Sequence, residues 1–170
     1  MSRPGVESPR SPPPGGEGFR FSFTSGRLGA SRHQLVDGLR GLLAAERGTL
    51  FKRAPLEVAL CYPSPYHVGM SSLGFQAIYR AVHEHPQASA ERVFLPEDVE
   101  AWRAARLPPL SVETQRPLSE FGLLAFSVAY ELELPGLFEL LDLAGLPAHR
   151  EARGEDAPLV AVSYTHLTLP

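Results

Sequence analysis

At 170 residues, with 44% hydrophobic and 21% charged side chains, the chain has the composition of one ordinary globular domain, not of a disordered or fibrous protein. A formal charge of −3 supplies no basic field for nucleic acid, and no apolar run approaches the roughly 20 residues needed to span a bilayer. The single cysteine, Cys61, excludes a disulfide framework and a cysteine-rich zinc site, and the opening MSRPGVESPRSPPPGGEG lacks the apolar core of a secretory signal, so a cytoplasmic location is expected.

Proline and glycine dominate that opening, with Pro12, Pro13 and Pro14 consecutive, so residues 1–30 are expected to form a disordered leader. Residues 31–50 hold an entry helix, because Leu35, Leu39, Leu42 and Leu43 make one apolar stripe and Gly48 suits its C-terminal cap. From residue 51 the pattern alternates. Leu56 to Tyr62 is a short apolar strand stopped by Pro63 and Pro65, and a helix begins at Ser72 with Phe75, Ile78, Tyr79 and Val82 on one face. Arg92 to Leu95 reads as a second strand and Glu97 to Arg106 as a helix broken by Pro108 and Pro109. Gly122 to Val128 is a continuous apolar run, as expected of a strand covered on both faces. Pro135 then opens a helix with Leu137, Leu140, Leu141 and Ala144 on its stripe, and a further strand starts at Pro158 to Val160.

Strands separated by helices of this length predict βαβ units. The expected fold is therefore α/β, a doubly wound, mostly parallel sheet of the flavodoxin or Rossmann type, spanning residues 51–161. Ligands of such sheets sit beyond the carboxyl ends of the strands. That edge falls on two loops, which supply Ser64, Tyr66, His67, Gly69, Ser71 and Ser72 from the first and Ser127, Tyr130 and Glu131 from the second.

The chemistry-bearing residues divide as follows. Gly69 and Gly74 have the separation of a phosphate loop, but Phe75 stands where its lysine belongs; a close helix–sheet approach accounts for Gly74, and a tight turn is one use for Gly69. His83 and His85 do not share a helix face and read as solvated polar residues, so no metal site is expected. Glu131 and Glu133 precede a helix and complement its dipole. Cys61 ends an apolar strand and reads as a small core hydrophobe. No catalytic residue emerges.

Two longer stretches carry a family resemblance. VALCYPSPYHVGMSSLGFQAIYRAV (58–82) with ERVFLPEDVEAW (91–102), and ETQRPLSEFGLLAFSVAYELELPGLFELLDLAGLP (113–147) with APLV (157–160), resemble the amino-terminal domain of an uncharacterised family of bacterial radical S-adenosylmethionine proteins. That domain is described as cobalamin-binding-like. The resemblance implies a Rossmann-like module ahead of a radical-SAM barrel that carries a CxxxCxxC iron–sulfur loop and uses S-adenosylmethionine. One cysteine cannot supply three thiolates, so the barrel, the partner expected in the same polypeptide, lies outside this chain. The DxHxxG motif of cobalamin domains is also absent; Pro65-Tyr66-His67-Val68-Gly69 stands in its place, so cobalamin binding is expected to be weak or absent. The implied function is a substrate-positioning or cofactor-binding-like module, inactive alone. A freestanding corrinoid or small-molecule binding module is the alternative, as is a structural cap without a ligand.

Residues 162–170, VSYTHLTLP, resemble the one-frame translation of a transposase mosaic-end adapter used in sequencing libraries. They are expected to be a non-native tail on a domain truncated at its C-terminal side.

Overall fold

The computed structural model describes residues 30–164. The expected leader, apart from Ala30, and the last six residues of the expected tail lie outside that range. Helix α1 (Arg32–Ala45) starts at a capping box, in which the Ser31 hydroxyl accepts from the Gln34 N–H and the Gln34 side chain accepts from the Ser31 N–H. Four strands follow: β1 (Leu56–Tyr62), β2 (Ala88–Phe94), β3 (Leu123–Val128) and β4 (Leu159–Tyr164). They are interleaved with α2 (Tyr66–Ser71), α3 (Leu73–Glu84), α4 (Val99–Ala104) and α5 (Leu134–Leu143).

All strand pairs are parallel, in the order β2-β1-β3-β4, so the α/β doubly wound architecture expected from the alternation is the observed one. The chain runs outward from β1 to β2, then returns to place β3 on the other side of β1. The topological switch point therefore lies between the carboxyl ends of β1 and β3.

Side-chain alternation sorts the core into two layers. Ala59, Cys61, Val93, Leu124, Phe126 and Val128 point to one face, where Leu137, Leu140 and Leu141 of α5 cover them. Val58, Leu60, Tyr62, Ala90 and Phe94 point to the other, beneath Phe75 and Tyr79 of α3. Aromatic edges hold that second layer together, with Tyr62 and Phe94 each packed against Phe75.

The two sheet edges differ. On the outer side of β2, the Val112 N–H donates to the Arg92 carbonyl and the Arg92 N–H donates to Glu113 Oε2, so the 110–117 segment seals that edge. Beyond β4 no described strand pairs. Its Leu159 is 59% and its Val162 48% exposed.

Three local expectations are corrected. Strand β2 begins at Ala88 instead of Arg92, because the ladder with β1 pairs Leu56 with Ala88 and recruits a stretch poor in strand formers. The helix expected over 97–106 is shorter, held at its start by the Asp98 carboxylate, which accepts from the Ala101 N–H. The close approach expected of Gly74 falls to Gly69 instead. Gly74 has open space where a Cβ would stand, whereas a Cβ on Gly69 would meet the Phe94 ring at 2.7 Å and Tyr62 Cγ at 3.1 Å. Gly69 thus serves close packing of α2 on the strand ends, not a tight turn, and its φ is not positive.

Candidate functional site

At the switch point Tyr62 closes β1, buried to 4% exposure. Its hydroxyl lies by the carboxylate of Glu133 and the hydroxyl of Ser72; burial first, then the Glu133 carboxylate, push its pKa up to about 12. Glu133 is itself 2% exposed. It stands at the start of α5 but turns back, its Oε2 accepting the Ala129 N–H at 2.7 Å. Its Oε1 is buried without a hydrogen bond of good geometry among the described residues. At the N-terminus of α5, where a dipole role was expected of it, Glu133 also ties the 129–133 turn. The Pro63 carbonyl oxygen packs directly against Gly136 of α5, so the loop after β1 meets the backbone of that helix here.

The residues expected along this edge take separate places. Ser72 caps α3, accepting from the Phe75 N–H, and joins the Tyr62 group. Tyr130 and Glu131 lie exposed at the end of the second loop, and half-buried Ser127 shares the strand parity of Leu123 and Ala125. The Ser64 carbonyl accepts the Leu95 N–H, tying the first loop to the end of β2, and Ser71 Oγ donates to the Val68 carbonyl within α2. Tyr66 turns away, donating to Glu46 Oε1 at 2.6 Å. His67 is exposed, with Nδ1 3.2 Å from Glu97 Oε1. Exposed pairs of this kind contribute about 0–1 kcal/mol. His67→Ala is therefore expected to leave the urea midpoint close to that of the parent chain, and a shift well beyond that range would show that the loop depends on the pair.

A second cluster, on the α3 side of the sheet, was not read from the sequence. Arg92, 3% exposed, points from β2 into the core layer. Its Nε donates to Glu113 Oε1 at 2.6 Å, one terminal nitrogen donates to Glu46 Oε2 at 2.7 Å, and the guanidinium lies 4.8 Å from the Tyr79 ring centre. Burial works to lower the Arg92 pKa, but Glu113 and Glu46 outweigh it and hold the cation fully charged. Burial likewise pushes Glu46 up, yet the hydrogen bonds from Arg92, Tyr66 and Thr49 together bring it below the usual carboxylate range. For Glu113 burial prevails and its pKa lies above that range. The available signal was an arginine directly before the apolar VFL of the expected strand, since an arginine buried in a strand calls for a buried carboxylate.

His83 is also not the solvated residue expected. Its Nδ1 donates to the Tyr79 carbonyl at 2.9 Å, and its Nε2 is buried without a partner among the described residues. Cys61 is fully buried, as its place on an apolar strand implies, and burial raises its thiol pKa far above the usual range.

Comparison with known proteins adds the decisive observation. The family model described as "Radical SAM proteins, N-terminal" matches residues 74–168, more than half of the chain. The chain belongs to this family. No curated protein and no solved structure matches it. The radical SAM N-terminal match begins inside α3 and takes in β2, α4, β3, α5 and β4, with α1 and β1 ahead of it. The residues present do not fit an iron–sulfur cluster. A cluster of this class needs three thiolates, the one cysteine is sealed in the core, and no group of three or more His, Cys, Asp or Glu among the described residues could hold a metal ion. No helix among the described residues is long and apolar enough to cross a membrane.

Proposed function

We propose that this chain is the non-catalytic N-terminal module of a radical SAM enzyme, positioning substrate for an iron–sulfur barrel carried by the same polypeptide. The family match over 74–168 is the observation that supports this reading, and the single buried cysteine supports a cluster held outside this chain. The module's contribution is a rigid parallel sheet whose two switch-point loops are fixed by Tyr62, Glu133 and the Pro63–Gly136 contact. Anaerobic reconstitution with iron and sulfide tests the assignment. The 170-residue chain is expected to show no thiolate-to-iron absorption and no cleavage of S-adenosylmethionine. Stoichiometric iron would overturn the reading.

Genomic sequence from a library prepared without transposase tests the rest. A frame continuing from the Val160 codon into a CxxxCxxC motif is expected. The same sequence decides whether residues 162–170 derive from an adapter; the family match extends to residue 168 and β4 pairs through Tyr164.

A second reading, corrinoid binding, has one observation in its favour. Glu97 accepts from Nδ1 of the exposed His67 ring, a carboxylate–histidine pairing of the kind that orients metal-ligating histidines. Titration of hydroxocobalamin, followed in its visible bands, separates the two. Tight binding lost in His67→Ala would favour the corrinoid reading.

A further inference from the structure

Where the 46–55 segment crosses α3, on the side of the sheet away from α5, the surface opens into a cavity of about 610 Å³. That volume falls within the range of small-molecule sites, roughly 300–1,000 Å³. A smaller hollow of about 400 Å³ adjoins it, and Leu50, Phe51 and Lys52 line both. The position is distinct from the switch-point loops, where backbone meets backbone.

The charge around the cavity is opposite in sign to that of the chain. Arg47, Lys52, Arg80 and Arg92 line it against Glu46 and Glu84, within a chain of net charge −3. Arg92 and Glu46 are spent on each other and on Glu113 at the cavity floor. Arg47 and Arg80 are exposed and make no ion pair among the described residues, with Glu84 included. Lys52 Nζ donates to the carbonyls of His83 at 3.0 Å and His85 at 2.5 Å, which fixes a third cation, without an ion pair among the described residues, at the C-terminal end of α3. Beside these cations stands Phe51, 67% exposed at the boundary between the two hollows. The segment carrying it is anchored, because the Tyr79 hydroxyl accepts from the Leu50 N–H and donates to the Leu50 carbonyl.

Uncompensated guanidinium groups match the oxygens of phosphate in forked hydrogen bonds, and an exposed ring on a held segment offers a planar ligand a stacking surface. We propose that this cavity binds a small mono- or diphosphate ester bearing a planar ring, with Arg47 and Arg80 holding the phosphate oxygens and Phe51 covering the ring. The site uses residues of this chain alone and does not depend on the radical SAM assignment.

Isothermal titration of the full 170-residue chain tests it, with adenosine 5′-diphosphate as the probe, inorganic phosphate as the anion alone and adenosine as the ring alone. Adenosine 5′-diphosphate is expected to bind saturably and more tightly than either part. Arg80→Glu is expected to weaken it at least about tenfold, since one charge-assisted hydrogen bond contributes on that scale. Phe51→Ala should weaken adenosine 5′-diphosphate while leaving inorganic phosphate unchanged. Arg103→Ala, which removes an exposed arginine on α4 that pairs with Asp142, should bind like the parent chain. Thermal melts of each variant confirm folding. Absence of saturable binding up to about 10 mM, a range far weaker than specific sites show, would overturn the proposal. Equal affinity in the folded Arg80→Glu chain, or adenosine binding as tightly as its diphosphate, would do the same.

Discussion

Arg92→Leu should be one of the most damaging single substitutions in the domain. Removing the guanidinium leaves Glu46 and Glu113 as buried carboxylates without a counter-cation, and breaking a buried pair from one side costs about 3–5 kcal/mol. That is a large share of the roughly 5–15 kcal/mol that holds a typical domain together. Glu113→Gln should cost less, since no carboxylate is stranded, although its single amide oxygen can replace only one of the two oxygens that accept from the Arg92 backbone N–H and Nε. The pH dependence of the two carboxyls runs in opposite directions. Glu113, raised by burial, contributes stability at low pH that is lost as pH rises through its folded value. Glu46, lowered by its hydrogen bonds despite burial, contributes stability above the ordinary carboxylate range that is lost as pH falls through its folded value. Glu113→Gln should therefore gain on the parent chain as pH rises. Urea unfolding at several pH values measures both effects. An Arg92→Leu chain within about 1 kcal/mol of the parent would mean that the carboxylates had found water or each other's proton.

Gly136→Val should prevent α5 from seating. A Cβ at this position would overlap the Pro63 carbonyl oxygen, which is backbone and cannot rotate aside. Either α5 lifts from the layer it forms with Leu124 and Phe126, or the loop after β1 shifts and takes Tyr62 with it. The expected result is loss of a cooperative melt or destabilisation of about 3 kcal/mol or more, the scale of severe overpacking. Gly74→Ala is the matched control. Its Cβ would enter open space in the first turn of α3, so the change should be neutral or stabilise by up to about 1 kcal/mol through helix propensity. A Gly136 variant that melts like the control would show that the loop-to-helix contact is loose.

Which parts of this structure were legible follows from where their causes lie. Strand β1 was readable with both its ends, because LEVALCY is apolar but for Glu57 and prolines follow it. Strand β3 was readable for the same reason. The first residues of β2 were not, since Ala88, Ser89 and Ala90 join the sheet only through their partners on β1. The switch-point loops followed from strand order, yet the groups that meet there did not. Tyr62 and Glu133 are far apart in sequence, and each alone looks like a strand end and a helix start. Arg92 and Glu113, 21 residues apart, form a pair that only the fold of the 110–117 segment creates. That the close approach falls to Gly69 and not to Gly74 has the same origin, because what a missing Cβ permits depends on the neighbour that approaches it.

The unpaired side of β4 bears on how the purified chain behaves when concentrated. Edge strands in soluble proteins are usually guarded by charge, proline or a bulge, and LVAVSY has neither a charged residue nor a proline. The opposite edge is closed by the 110–117 segment, so the sheet is guarded on one side only. A row of amide and carbonyl groups that pair with no strand among the described residues, beside exposed Leu159 and Val162, is a template for strands from other molecules. Growth by this route would be one-sided, since the sealed edge at β2 offers no matching template, and a charged residue placed at Ala161, already exposed, is the smallest change that would restore the missing guard.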